Sequence, residues 1–186
     1  MCAHTFDVAN ADRLESAERF RFCSRDELVA LVGPDADRVV DLGSGTGFYT
    51  REVAPHVGTA VGIDVQGAMH DEHRRYGVAD NVRLVTAEVD VLPLADESVD
   101  VAYSTMTFHE FCTPTGLAEV TRALRPGGRF IAVDWSAAGS GDDGPPTGER
   151  QSAASATDLL ETAGLAVETT VERPETFVLV ARKPEA

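Results

Sequence analysis

Short apolar runs alternate with amphipathic stretches along most of this chain, and the alternation predicts strands and helices in turn. Ala9 to Phe20 reads as a polar first helix. Ser24-Arg25-Asp26-Glu27 has the Ser-x-x-Glu form of a capping box, in which the Ser hydroxyl accepts a backbone N–H and the Glu reaches back. Leu28, Leu31 and Val32 follow at helical spacing, and Gly33-Pro34 ends the helix. From Arg38 the rhythm becomes regular. Val39 to Leu42, Thr59 to Ile63, Val82 to Val85, Val99 to Tyr103 and Arg129 to Val133 read as strands. Tyr49 to His56, Gly67 to Tyr76 and Leu117 to Leu124 read as helices, and Pro126-Gly127-Gly128 turns into the fifth strand. Such a series implies parallel strands joined by helical crossovers. Ser136 to Ser152 breaks the rhythm with four glycines and two prolines and is expected to be a mobile loop. Ala154 to Ala163 is a last helix. Leu165 to Val171 and Thr176 to Ala181 follow, and only Glu172-Arg173-Pro174-Glu175 lies between them. That is too short for a helical crossover, so these two strands must be antiparallel.

The pattern fits one α/β domain of 186 residues: an N-terminal helical cap over 1–37, a core over 38–135, the loop over 136–153 and a helix with a β-hairpin over 154–186. Hydrophobic residues at 43% and charged residues at 25% are ordinary for a globular protein. No apolar run approaches the roughly 18 residues of a membrane span. Met1 to Asp7 lacks the basic start and apolar stretch of a secretory signal, so the expected compartment is the cytoplasm. Charge changes the picture more. Sixteen basic residues face thirty-one acidic ones, the net charge is −15, and Lys183 is the single lysine. Such a surface repels a phosphate backbone, which argues against nucleic acid as a partner. Acidity with almost no lysine also resembles halophilic proteins, in which salt screens self-repulsion. Cys2, Cys23 and Cys112 are too few and too widely spaced for a disulfide framework or a zinc site.

In an open parallel sheet, ligands bind beyond the carboxyl ends of the strands. The residues there are Asp41 to Gly47, Asp64-Val65, Glu88-Val89, Ser104 to Glu110, and Asp134-Trp135. The first set is Gly-x-Gly-x-Gly, from Gly43 through Ser44, Gly45 and Thr46 to Gly47. Dinucleotide loops run Gly-x-Gly-x-x-Gly. Here the third glycine comes one residue early, so a ligand without a diphosphate is favoured. Asp64 lies 21 residues after Gly43 at the end of the second strand, where a carboxylate can accept both ribose hydroxyls of an adenosine.

Four motifs in order carry a family resemblance: Val39 to Gly47, Gly62-Ile63-Asp64-Val65, Leu92 to Val101, and Leu124 to Arg129. Over roughly Ser24 to Lys183 the chain resembles class I S-adenosylmethionine-dependent methyltransferases, above all the small ubiquinone- and menaquinone-type enzymes. The resemblance implies a three-layer Rossmann-like sandwich, with a mostly parallel seven-stranded sheet and an antiparallel C-terminal strand beside the fifth. It implies S-adenosylmethionine as cofactor and S-adenosylhomocysteine as product. Gly43, Ser44, Gly45 and Gly47 would cradle the methionine part, and Asp41 would orient that loop or meet the amino group through water. Asp64 would hold the ribose, with Val65 and Met69 over the adenine. Glu88, beside Val89, stands where the family has Asp at the adenine amine, which leaves Glu88 and Asp90 both open. Ser104 and Thr105 would line the methyl channel.

His109 and Glu110 follow the fourth strand, where a His can remove a proton from a nucleophile or instead hold the site together structurally. His70 and His73 share a helical face, read as solvated rather than metal-binding. Phe6, Phe20, Phe22 and Tyr49 fit either an apolar lid or the core. The expected reaction is direct in-line methyl transfer to a small-molecule acceptor by a monomer or homodimer. The rivals are a nicotinamide-dependent oxidoreductase, a cofactor-binding regulatory protein without turnover, and a transferase using decarboxylated S-adenosylmethionine.

Overall fold

A computed structural model describes residues 5–185; Cys2 lies outside them. Seven strands form one sheet: β1 (Arg38–Leu42), β2 (Thr59–Asp64), β3 (Val82–Thr86), β4 (Val99–Thr105), β5 (Leu124–Trp135), β6 (Ala166–Glu172) and β7 (Thr176–Arg182). Their order is β3-β2-β1-β4-β5-β7-β6. The first five run parallel, and β7 lies antiparallel between β5 and β6. This is the expected Rossmann-like sheet.

Alternation within the central strands explains the layers. Val101, Tyr103, Ile131, Val133, Val178 and Val180 face one side, against α1 (Arg25–Val32) and α2 (Phe48–Val53). Ala102, Phe130, Ala132, Phe177 and Leu179 face the other, against α4 (Phe108–Phe111), α5 (Pro114–Ala123) and α6 (Ala153–Thr162). Both faces of the sheet are therefore covered, as parallel strands require. α3 (Gly67–Tyr76) follows β2 with the boundaries the sequence predicts.

Several expectations are corrected. The single first helix is two 3-10 segments, Val8–Glu15 and Ala17–Arg21. Ser16 between them is extended, and its hydroxyl accepts the Glu18 N–H instead of continuing a helix. Ser24 caps α1 through the Glu27 N–H, but the Glu27 carboxylate turns to Arg173 rather than back to Ser24. A reciprocal capping box exists instead at Ser152 and Ser155, opening α6. The Pro126-Gly127-Gly128 turn lies inside β5 as an irregularity, where the pairing jumps from Val99↔Leu124 to Val101↔Arg129. His70 and His73 are not solvated: both are buried, and the His73 ring packs against Gly47.

Candidate functional site

The glycine loop leaves β1 at the centre of the sheet, where the strand order reverses direction. Its backbone is committed inward. The N–H groups of Gly43 and Ser44 both donate to the Ile63 carbonyl, at 2.8 and 2.9 Å, and that of Gly47 donates to the Ser44 carbonyl. The Gly45 N–H donates to Asp64 Oδ2 at 2.8 Å. Four amides that could cradle a phosphate are thus already used, which disfavours a diphosphate ligand. Two glycines are required by contact as well as by their positive φ. A Cβ on Gly43 would stand 2.3 Å from Thr107 Cγ2, and one on Gly47 would stand 2.1 Å from His73 Nε2.

Asp41 lies beneath the loop, fully buried. Its Oδ2 accepts from Thr50 Oγ1 at 2.6 Å and from the Tyr103 hydroxyl at 3.0 Å, tying β1 to α2 and β4. Burial pushes its carboxyl up to about 6, against those two hydrogen bonds. Asp41 Oδ1, Ser44 Oγ and Ser104 Oγ are buried with no partner among the described residues. Buried polar atoms are normally satisfied, so these three suit a ligand with polar groups on the loop.

Asp64 closes β2 with Oδ1 accepting the Gln66 N–H and Oδ2 the Gly45 N–H, both at 2.8 Å. Its orientation is therefore fixed, and each oxygen keeps a lone pair for a hydroxyl. Burial raises its carboxyl above the usual range, opposed by the two amides. Met69 is buried beneath this corner, whereas Val65 is 43% exposed. After β3, Glu88 is exposed and Val89 packs against the core. Asp90 is tied to Thr113 Oγ1 at 2.8 Å, which leaves Glu88 as the free carboxylate of the two.

β4 runs two residues further than expected, so Ser104 and Thr105 are buried strand residues paired with Ala132 and Val133. Met106 then turns with φ of +61°, held by its N–H on the Val133 carbonyl at 2.7 Å, and brings Thr107 over Gly43. A methionine in the left-handed region carries strain of the kind that clusters at functional sites. His109 and Glu110 follow in α4. The His109 ring Nδ1 meets Asp134 Oδ2 at 2.9 Å, and the His109 N–H donates to the same oxygen at 2.6 Å. Asp134, at the end of β5, is fully buried. Burial opposes charge on the His109 ring, but the Asp134 hydrogen bond and charge outweigh it and raise the ring above its ordinary value. Glu110 is pushed up to about 7 by burial, opposed by His109.

The N-terminal segment lies across this edge. Glu15 accepts from Thr46 Oγ1 at 2.5 Å and pairs with Arg51, and Gln66 Nε2 donates to the Phe6 carbonyl at 2.9 Å. Of the candidate lid aromatics, Tyr49 is core, with its hydroxyl on the Arg19 and Cys23 carbonyls. Phe22 packs on the buried Trp135 ring, with ring centroids 4.7 Å apart. The structure thus gathers Asp41, Gly43, Ser44, Gly45, Gly47, Asp64, Ser104, Thr105, His109 and Glu110 along one carboxyl edge; Val65, Glu88 and Val89 flank it. Asp134, Met106, Thr107 and Arg19 were not assigned roles from sequence. Asp134, Met106 and Thr107 carried one signal, their place directly after a strand; Arg19 carried none.

Residues 40–132, half of the chain, match a family described as a methyltransferase domain. The malonyl-[acyl-carrier protein] O-methyltransferase of Methylococcus capsulatus is 37% identical over 104 residues, covering 53% of this chain and 38% of that protein. The demethylmenaquinone methyltransferase of a Mycobacterium species is 32% identical over 136 residues, covering 72% of this chain and 56% of that protein. The chain thus spans well under two thirds of the length of either relative. A solved structure of an S-adenosylmethionine-dependent methyltransferase from Aquifex aeolicus superposes with a TM-score of 0.86 at 28% identity, over 96% of this chain and 100% of that one.

Proposed function

This chain belongs to the methyltransferase domain family, and from that premise we propose that it transfers a methyl group from S-adenosylmethionine to a small molecule. One observation carries the reading. The glycine loop spends its amides inside the protein while Asp64 stands fixed beside it, which makes an adenosine site with no provision for a diphosphate. Gly43, Ser44, Gly45 and Gly47 lie along the methionine part, with Asp41 bracing the loop from below. Asp64 accepts the ribose hydroxyls. Val65 and Met69 flank the adenine, Glu88 accepts its amine, and Val89 closes that end. Ser104 and Thr105 line the channel from the methyl group to the acceptor.

S-adenosylmethionine, when bound, supplies a methyl group on a sulfonium, which is already a good leaving group. The chain's own contribution is to align the acceptor for in-line attack and to exclude water, worth about 7–11 kcal/mol when orientation is good. With Nδ1 held by Asp134, the neutral His109 ring presents its Nε2 lone pair, which makes no hydrogen bond among the described residues. It can take a proton from an acceptor hydroxyl or similar group, and Glu110 stands next to it. Net charge argues for a small acceptor rather than a nucleic acid. No helix among the described residues is long and apolar enough to cross a membrane. The acidity fits a cytoplasm rich in salt, with the protein a monomer or homodimer.

A thermal-shift measurement with S-adenosylhomocysteine and with NAD tests the cofactor. At a hundred times its dissociation constant the former should stabilise the fold by about 2.7 kcal/mol. Stabilisation by NAD alone would overturn the reading.

A further inference from the structure

One cation at this edge has no role in that reading. Arg19, in the segment Ala17–Arg21, is half-buried with its guanidinium over the rings of Phe48 and Tyr49, 5.2 and 5.0 Å from their centroids. Nη1 donates to the Leu14 carbonyl at 2.8 Å, and Nη2 reaches Met106 Sδ at 3.9 Å. These neighbours locate it. The Leu14 side chain is the atom group facing Gly45, and Met106 is the strained residue that ends the β4 channel. Arg19 therefore stands between the glycine loop and the channel, over the start of α2.

Its charge is unanswered. The nearby carboxylates are engaged elsewhere: Glu15 with Thr46 and Arg51, and Asp41 with Thr50 and Tyr103. Among the described residues no carboxylate comes within ion-pair distance of Arg19. Burial lowers its pKa, ahead of the raising effects of Tyr49, Asp41 and Glu15. A guanidinium taken partly out of water without an anion is costly, and the planar fork suits a carboxylate two bonds at a time. A purely packing role would be served as well by Leu or Met on this aromatic floor.

We propose that Arg19 binds the carboxylate of the cofactor's amino-acid tail, and so selects a complete S-adenosylmethionine skeleton over adenosine compounds that lack the tail. This rests on the cofactor reading above. The N-terminal segment is then part of the binding site, not only a cover.

Calorimetry with three ligands tests it: S-adenosylhomocysteine, its carboxamide analogue, and 5′-methylthioadenosine, which has no amino-acid tail. Each is titrated into the full chain and into Arg19→Met and Arg19→Lys. Loss of a charge-assisted pair should weaken S-adenosylhomocysteine about ten- to a hundred-fold in Arg19→Met. Methylthioadenosine should change by less than about two-fold, and Arg19→Lys should recover part of the loss. The unaltered chain should prefer the carboxylate to the carboxamide by a similar factor, and Arg19→Met should lose that preference. The wild-type comparison needs no variant to fold. Equal weakening of all three ligands, or a wild-type chain indifferent to the carboxamide, would overturn the proposal. A wild-type chain that binds none of the three refutes the cofactor reading itself, which separates the two failures.

Discussion

Asp134 holds three donors at once: the His109 N–H, the His109 ring Nδ1 and the Trp135 N–H, at 2.6, 2.9 and 2.8 Å. The pair sets the ring's tautomer and raises its pKa, so a base at Nε2 works only above that raised value. Asp134→Asn should therefore lower the His109 pKa, readable by NMR titration of its ring protons, and shift the acid side of the activity profile to lower pH. His109→Ala should cut turnover by about 10²–10⁴-fold while S-adenosylhomocysteine still binds. Unchanged turnover would make the pair structural. Stability follows the same sign. A His raised above its unfolded value near 6.5 stabilises fully below about pH 6.5, and the benefit fades as pH rises through the folded-state value. Urea midpoints across that window should flatten in Asp134→Asn. The glycine loop, Asp64 and His109 were legible because each sits at a fixed offset from a strand end. The partners of His109 and the engagement of Asp41 by Tyr103 were not, since they join residues 25 and 62 positions apart through the folded sheet.

Among the elements, the stretch from Ser136 to Ser152 departs most from local pattern. Its glycines and prolines predict a loop, and a loop forms around Arg150, whose side chain is buried. The guanidinium donates to the carbonyls of Ser136, Asp143 and Pro145 and stacks 5.4 Å from the centre of the Trp135 ring. Arg150→Met keeps the stem but strands three carbonyls, at about 2–4 kcal/mol. Hydrogen exchange should then speed up at Ala137, Gly139 and Glu149 while β5 stays protected. If those amides kept their wild-type rates, something other than Arg150 would be ordering the loop. The first helix was misread for a related reason. Its polar pattern suits a helix, but Ser16 breaks the chain so that Glu15 can reach Thr46 and Arg51, contacts that no local periodicity announces.

For the whole molecule, the antiparallel ending was legible because the few residues between the last two strands cannot form a crossover, whereas the place of the C-terminal strand beside the fifth came from the family resemblance. Charge acts at this scale too. With a net charge of −15, self-repulsion should make the fold depend on ionic strength. Raising KCl from dilute to 2 M should lift the thermal midpoint by roughly 4–8 °C, the equivalent of about 2 kcal/mol for a chain of this size. A midpoint indifferent to salt would remove the halophilic reading. The position of β7 has a consequence for synthesis. β5 and β7 pair from Arg129↔Arg182 to Trp135↔Thr176, yet 40 residues lie between Trp135 and Thr176. At roughly 5–20 residues per second, a nascent chain carries the apolar edge of β5 unpaired for about 2–8 s before its neighbour is made. That interval, rather than the finished sheet, is when this protein is most exposed to edge-to-edge aggregation and most in need of a chaperone.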